Sequence, residues 1–435
     1  MNRCWLLILA LSLGVAGAQA AERTLPVVIV LSWDGLRHDY LDLHGEDGGM
    51  PALRRVAADG VRAERMTPVF PSNTFPGHVS MATGTYPDVH GIVDNHFLDR
   101  QQGPYLDRAD ANWLQAEPLW IAAERQGVPA ATYFWVGSET DWRGQGVRYR
   151  ISPFDGDRPE AQKVDQILAW LQLPPDQRPR LIMSYWAGAD DPGHDFGPES
   201  SRVTTALHEQ DAQLGRLLQA LDAMDAWSST TLVVVGDHGM TATGRYIDVR
   251  GALEGAGIQA RVTGSPVANV FLDDLTRLAD ARAALESLGP LQVYEGTKLP
   301  AGFRLRHPTR TGDLVVVAGP PYVLARPAGP RGALVRLLWV LGWTSGGHGY
   351  DPALPEMGAA FLAMGRGVPA GLHLGEVHQV DVAPTVARLL DIEPPAQSEG
   401  RPITGIGTEF ELQGPPVSRS TMPEQGESGS VGVLR

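Results

Sequence analysis

Aspartate and histidine recur where the apolar runs of this sequence stop. Residues 231–235 (Thr-Leu-Val-Val-Val) read as a strand buried on both faces of a parallel sheet, and Asp237 and His238 follow one glycine later. Chemistry in open α/β sheets gathers just beyond the carboxyl ends of strands, and both side chains are good zinc ligands. Residues 27–31 (Val-Val-Ile-Val-Leu) lead in the same way to Asp34, which is either a metal ligand or a helix cap. After residues 181–185, a loop bearing glycine and proline carries Asp190 and His194 four apart, free to converge on one ion. His348 lies among glycines in Ser-Gly-Gly-His-Gly, which let a backbone approach a site closely. Three Asp and three His suit two zinc ions, each with one open position; ligation without sulfur also fits manganese or iron.

A hydroxyl and an amide complete the set. In Pro-Val-Phe-Pro-Ser-Asn-Thr-Phe-Pro-Gly-His, residues 68–78, Pro76 predicts the start of a helix running through residue 82. Thr74 then stands at or just before its N-terminus, where free amides and the dipole favour an anion. Such a hydroxyl is either an ordinary cap or a nucleophile. Two metal ions about 4 Å apart would activate it and stabilise the attacking and leaving oxygens of an in-line displacement at phosphorus. Asn95, in a following loop, either donates to a phosphoryl oxygen or closes a turn.

The elements that must position these residues alternate. Residues 117–126 read as a helix and 130–134 as a strand. Val164, Ile167, Leu168 and Leu171 mark an amphipathic helix, and Leu214, Leu217, Leu218 and Leu221 mark another before the strand at 231. Helices and strands in alternation predict an α/β fold, a mostly parallel central sheet with helices on both faces. Between about 241 and 343 the pattern loosens into short strands (270–272, 314–317) and turns, read as a small inserted cap subdomain. Residues 360–362 read as a strand, 377–390 as a closing helix, and the tail from 413 to 435 as disordered.

The 435 residues carry a net charge of -14, which argues against nucleic-acid scaffolds and anionic membranes as partners. An anionic small molecule stays possible, because bound cations dominate a local field. Residues 1–20 read as a cleaved signal peptide: Arg3 precedes the apolar run 5–15, and Ala18-Gln19-Ala20 supplies a small-residue cleavage site. Export to the periplasm or beyond is therefore expected, with no membrane span in the mature chain. The only cysteine, Cys4, falls within that leader, so the mature chain would hold no disulfide.

Together these stretches resemble the bacterial nucleotide pyrophosphatase/phosphodiesterase family (type I phosphodiesterases) of the alkaline phosphatase superfamily. The resemblance rests on Asp34-Gly35, Asn73-Thr74-Phe75-Pro76, residues 90–95 (His-Gly-Ile-Val-Asp-Asn), Asp190 with Gly193-His194, Asp237-His238-Gly239 and Gly347-His348-Gly349, spread over residues 21–412. It implies an alkaline phosphatase-like sandwich and two zinc ions. One would be held by Asp190, His194 and His348, the other by Asp34, Asp237 and His238 with Thr74. It implies Thr74 as nucleophile, a covalent nucleotidyl-threonine hydrolysed by zinc-bound hydroxide, and Asn95 with the Thr74 amide on the non-bridging oxygen. Phe75, Phe154 and Tyr185 would form the substrate pocket. Asn73 departs from the pattern, since many members carry lysine there.

Neutral Asn73 and Asn95 around Thr74 favour a monoanionic nucleotide diester or pyrophosphate over a dianionic monoester, although Arg37 and Arg65 are near in sequence. The alternatives are a phosphomonoesterase or phosphonate hydrolase on the same scaffold, and a non-catalytic metal-containing binding protein. Oligomeric state is not readable from the sequence.

Overall fold

The computed structural model describes residues 25–45, 48–106, 110–325 and 329–407. The expected leader at 1–20 and tail at 413–435 lie outside the described residues. In chain order the elements used below are β1 (Val27–Trp33), β2 (Gly60–Thr67), α1 (Thr74–Thr83), β3 (Ala130–Tyr133), β4 (Tyr149–Ile151), α2 (Glu160–Leu171), β5 (Leu181–Trp186), α3 (Asp190–Phe196) and α4 (Ser201–Ala223). They continue with β6 (Thr230–Gly236), α5 (Val249–Gly255), β7 (Ala260–Thr263), β8 (Val267–Leu272), β9 (Leu291–Glu295), β10 (Leu314–Ala318), β11 (Phe361–Gly365), β12 (Leu372–His378) and α6 (Val382–Leu389).

Eight strands form the main sheet in the order β12-β2-β11-β6-β1-β5-β3-β4. All run parallel except β11, which is antiparallel to both β2 and β6. Every residue of β1 and β6 is buried, as an unbroken apolar run in a two-sided sheet requires. Alternation along β1 feeds two cores: Val28 and Val30 join the layer of α1 and α6, while Ile29 and Leu31 join that of α2 and α4. The result is an α/β sandwich. No helix among the described residues is long and apolar enough to cross a membrane.

Register brings the chemistry together. Trp33 at the end of β1 pairs with Trp186 of β5 and with Gly236 of β6. Three parallel strands therefore stop level, and Asp34, Asp237 and the turn leading to Asp190 leave the sheet from one edge. A second, antiparallel sheet in the order β7-β8-β10-β9 stands apart with its own core, backed by Val249 and Leu253 of α5. It arises within residues 241–343, where the alternating pattern loosens.

Three local expectations are corrected. α1 begins at Thr74, two residues before Pro76; a proline in the first turn removes only an amide that has no intrahelical partner. Asp190 and His194 sit on α3 and not in an open loop, although Pro192 and Gly193 lie between them. The helix expected over 377–390 is shorter, because Val377 belongs to β12, a parallel edge strand on β2.

Candidate metal centre

Asp190 and His194 are four apart on α3 and so share one helix face. His348 reaches the same point from the loop after the short strand Ser345–Gly347. His194 Nε2 lies 3.4 Å and His348 Nε2 3.5 Å from Asp190 Oδ1, and the two Nε2 atoms are 3.1 Å apart. Beside this triad, His238 Nε2 is 3.3 Å from both Asp34 Oδ1 and Asp237 Oδ2 and 3.2 Å from Thr74 Oγ1. The two groups border each other: Asp34, Asp190 and His238 offer donor atoms within 4.8 Å, and the rings of His238 and His348 stack at 3.6 Å.

The protons decide what this arrangement is for. Each ring turns Nδ1 to a backbone carbonyl: His194 to Gly346, His348 to Ser72, and His238 to Gly239. That pattern assigns the hydrogen to Nδ1 and leaves the Nε2 lone pairs converging, as in metal sites where an outer partner fixes the tautomer. Asp34 Oδ1, Asp190 Oδ1 and Asp237 Oδ2 are buried with no hydrogen-bond partner. Facing lone pairs at 3.1 to 3.5 Å repel unless a cation sits among them. Tetrahedral bonds of zinc to N and O would space ligand atoms by roughly 3.3 to 3.6 Å. These residues fit metal.

Electrostatics point the same way. Burial, then repulsion from Asp237, raises the pKa of Asp34; burial and Asp34 raise that of Asp190 to about 6; burial raises that of Asp237. Burial opposes charge on His238, but Asp237 and Asp34 outweigh it and raise its pKa to about 10. The cluster demands positive charge.

Outer residues hold the ligands in place. Tyr185 Oη donates to Asp34 Oδ2 at 2.8 Å, and Gly35 N donates to Asp237 Oδ1 at 2.9 Å. Burial lowers the His78 pKa to about 4, so its ring is neutral; Nδ1 meets Thr74 O and Nε2 meets Ser32 Oγ, both at 2.8 Å. His78 and the Asp34 bond of Tyr185 escape the sequence reading, which places His78 only in a helix and Tyr185 only in a pocket.

Thr74 is the first residue of α1. Of the amides in that turn, Phe75 N–H donates to Asn95 Oδ1 at 2.8 Å, Pro76 has none, and Gly77 N–H returns to Asn73 O. One amide, that of Thr74, remains to face a ligand beside the hydroxyl. Because Asn95 Oδ1 accepts from Phe75, its Nδ2 hydrogens turn to the open site. Asn73 Nδ2 is committed to Asp94 Oδ1 at 2.7 Å. Arg37 pairs with Asp39 and Met240 O, and Arg65 donates to Pro352 O, so neither cation reaches Thr74.

Phe75, Phe154 and Tyr185 line one cavity of about 670 Å3 together with Asp34, Thr74 and Asn95. The Phe154 ring stands 5.3 Å from Phe134 and 5.8 Å from Tyr185. Phe134 is a wall residue that the sequence did not signal; its φ of 60° is a strained conformation of the kind that clusters at ligand sites. Beneath it, buried Lys163 pairs with Glu160 at 3.1 Å and lies 5.8 and 5.6 Å from the Phe134 and Tyr185 rings.

The loop bearing Asn95 is braced from the turn that leads into β10. Arg310, fully buried, donates to Asp99 Oδ2 (2.8 Å), Gly91 O (2.6 Å) and Trp113 O (3.0 Å), and lies 5.3 Å from the Phe97 and Trp113 rings. Gly91 and Asp99 flank Asn95, so one guanidinium grips its loop on both sides. Removing one partner of a buried pair costs about 3–5 kcal/mol. Arg310→Met is therefore expected to lose that much stability in urea unfolding, and to lower kcat more than it raises KM. A loss below about 1 kcal/mol would show that the brace carries little of the loop's order.

The pattern described as type I phosphodiesterase/nucleotide pyrophosphatase matches residues 28–351. The chain is 29% identical over 388 residues to human ectonucleotide pyrophosphatase/phosphodiesterase family member 1, covering 85% of this chain and 40% of that one. It thus spans about two-fifths of that relative's length. It is 30% identical over 390 residues to a Schizosaccharomyces pombe protein described as an uncharacterized pyrophosphatase/phosphodiesterase, covering 85% and 77%. Among solved structures, an inactive form of murine ectonucleotide pyrophosphatase/phosphodiesterase 5 in complex with AMP aligns with a TM-score of 0.75 and 26% identity, over 85% of this chain and 96% of that one.

Proposed function

The chain belongs to the type I phosphodiesterase/nucleotide pyrophosphatase family, and from that premise we propose that it is a two-zinc enzyme cleaving nucleotide diesters or pyrophosphates to nucleoside monophosphates through a covalent Thr74 intermediate. Asp190, His194 and His348 would hold one ion; Asp34, Asp237 and His238 would hold the other. Bound there, divalent cations supply Lewis acidity to the reacting phosphoryl group and lower the pKa of a coordinated hydroxyl. The Thr74 amide and Asn95 Nδ2 donate to a non-bridging oxygen, where charge builds in the transition state. Thr74 Oγ1 loses its proton to solvent water and attacks phosphorus as the bond to the leaving oxygen breaks, and that oxygen departs as an anion that water protonates. Water then cleaves the nucleotidyl-threonine, returning the hydroxyl and releasing the monophosphate. The aromatic cavity takes the nucleobase. The leader-like residues 1–20 support export as part of this reading.

One observation favours diester over monoester. The cavity that holds Thr74 is lined, among the described residues, by no lysine or arginine. A monoester dianion would lack the cation that such sites supply. The deciding measurement is kcat/KM for p-nitrophenyl thymidine monophosphate and for p-nitrophenyl phosphate on one zinc-loaded preparation. A large preference for the nucleotide diester is expected. A preference for the monoester would move the protein to the phosphomonoesterase reading.

A further inference from the structure

The helix Gly329–Val340 turns apolar residues outward. Leu334 and Leu337 are more than half exposed, Val340 is 84% and Leu341 66% exposed; spaced three and four apart, they form one stripe. Trp343, 67% exposed, stands just beyond the helix. None of these side chains joins any of the three apolar cores. Gly244 lies against Trp343 O, which brings exposed Arg245 and Tyr246 to the border of the stripe. Contiguous exposed apolar surface of this kind marks a site of contact.

We infer that this patch docks the protein on an anionic lipid bilayer. The charge of the segment matches that partner. Between Asp313 and Asp351 the chain has three arginines and no acidic residue, although it carries 50 Asp and Glu in all. The net charge of -14 opposes such a partner for the surface at large. At physiological salt, however, charges farther away than about 8 Å are screened, so the segment in contact decides. Twelve helical residues rise about 18 Å, too little to span a hydrocarbon core of about 30 Å. They suit a helix lying in the interface, with leucine and valine at the acyl boundary and indole at the headgroups. Trp339 Nε1 donates to Ser345 Oγ at 3.2 Å, tying the helix to the short strand that leads to His348. Docking would therefore hold the metal centre close to the membrane surface.

Two other occupants fit less well. A stable protein–protein interface takes about 20–30 residues from each side, and this patch offers six exposed apolar ones. The ends of the described chain lie at the opposite edge of the main sheet from the metal centre: Leu25 leads into β1, and Gly407 N–H donates to Gly367 O just past β11.

Flotation of the full chain with vesicles of phosphatidylcholine and phosphatidylglycerol tests the inference, and it needs no turnover, so its result is independent of the phosphodiesterase reading. The wild type should float with these vesicles and bind phosphatidylcholine alone more weakly. Leu337→Glu combined with Leu341→Glu should bind at least tenfold more weakly, since burying one leucine side chain is worth about that much. Its thermal unfolding midpoint should stay that of wild type, because both side chains are exposed. Should the midpoint fall, Trp343→Ser, beyond the helix, makes the same comparison. Equal binding by the folded variant would place the contact elsewhere, on the apolar run 5–15 for example, and overturn the inference. Equal binding to phosphatidylcholine alone would overturn the anionic choice. A wild type that fails to float also overturns it, and if light scattering then found a dimer that the variant cannot form, the patch would belong to a second copy of the chain.

Discussion

Thr74→Ala should abolish turnover, by about 10^4-fold or more, while leaving the protein folded and its metal content unchanged. The reasoning starts from the local geometry. Thr74 is half-exposed at the first position of α1, and among the described residues the one partner of its hydroxyl is His238 Nε2 at 3.2 Å. The helix entry is shaped by Asn73, whose carbonyl accepts Gly77 N–H and whose side chain binds Asp94, so alanine disturbs neither. Unfolding free energy should change by less than about 1 kcal/mol, as expected for losing one exposed hydroxyl bond. Nucleophile loss is far larger, because the donors at Asn95 and the Thr74 amide have no covalent intermediate to stabilise. Acid quenching during turnover of a nucleotide diester, followed by peptide mass analysis, should find a nucleotidyl group on Thr74 in the wild type. The alanine variant should bind AMP with near wild-type affinity, since it keeps the aromatic cavity. Full activity in Thr74→Ala, or a nucleotidyl group on another residue, would remove the covalent mechanism.

The legibility of this site in the sequence follows from where its residues lie. Asp34, Asp237 and His238 follow unbroken apolar strands, and a strand buried on both faces leaves few places for a carboxylate except its end. The level ends of β1, β5 and β6 then follow from parallel pairing. Asp190 and His194 were legible as a pair but not as helical, because seven residues containing proline and glycine carry no periodic signal. Their convergence survives the error, since four-residue spacing on a helix also places both on one side. Val377 read as helix because its neighbours suit α6, whereas pairing with β2 decided the strand. Arg310 lies 211 residues from Asp99, and such a buried pair leaves no local mark. The role of Phe134 is hidden for another reason: positive φ in a phenylalanine is imposed by surrounding packing and not by its own preference.

Asp237→Asn should separate a metal site from an ordinary buried hydrogen-bond network through the sign of its effect on stability. Asp237 is fully buried; Oδ1 accepts from Gly35 N and His238 N, while Oδ2 has no partner and lies 3.3 Å from His238 Nε2. Asparagine keeps the volume and the Oδ1 bonds. Its Nδ2 hydrogens replace the unpartnered lone pairs and can donate to His238. Without metal this removes a buried negative charge beside Asp34, whose own pKa burial and Asp237 already raise. The metal-free variant should therefore be more stable than metal-free wild type, by about 1–3 kcal/mol, because protonated His238 offsets only one of the buried carboxylates around it and the substitution relieves the excess negative charge. With zinc present the order should reverse, because an amide NH2 group aimed at a cation weakens binding, and binding to the folded state alone is what raises stability. Exhaustive chelation should accordingly inactivate the wild type and lower its unfolding midpoint, and zinc should restore both. Activity in zinc-loaded Asp237→Asn should fall about 10^3-fold or more, as when a group acting as a unit with the nucleophile is lost. If Asp237 merely tied Gly35 to the sheet, asparagine would leave stability nearly unchanged with and without zinc. Crossing stability curves, read by thermal unfolding of both proteins in chelator and in zinc, would instead mean that the carboxylate stays in a dry, repulsive pocket because a cation is meant to fill it.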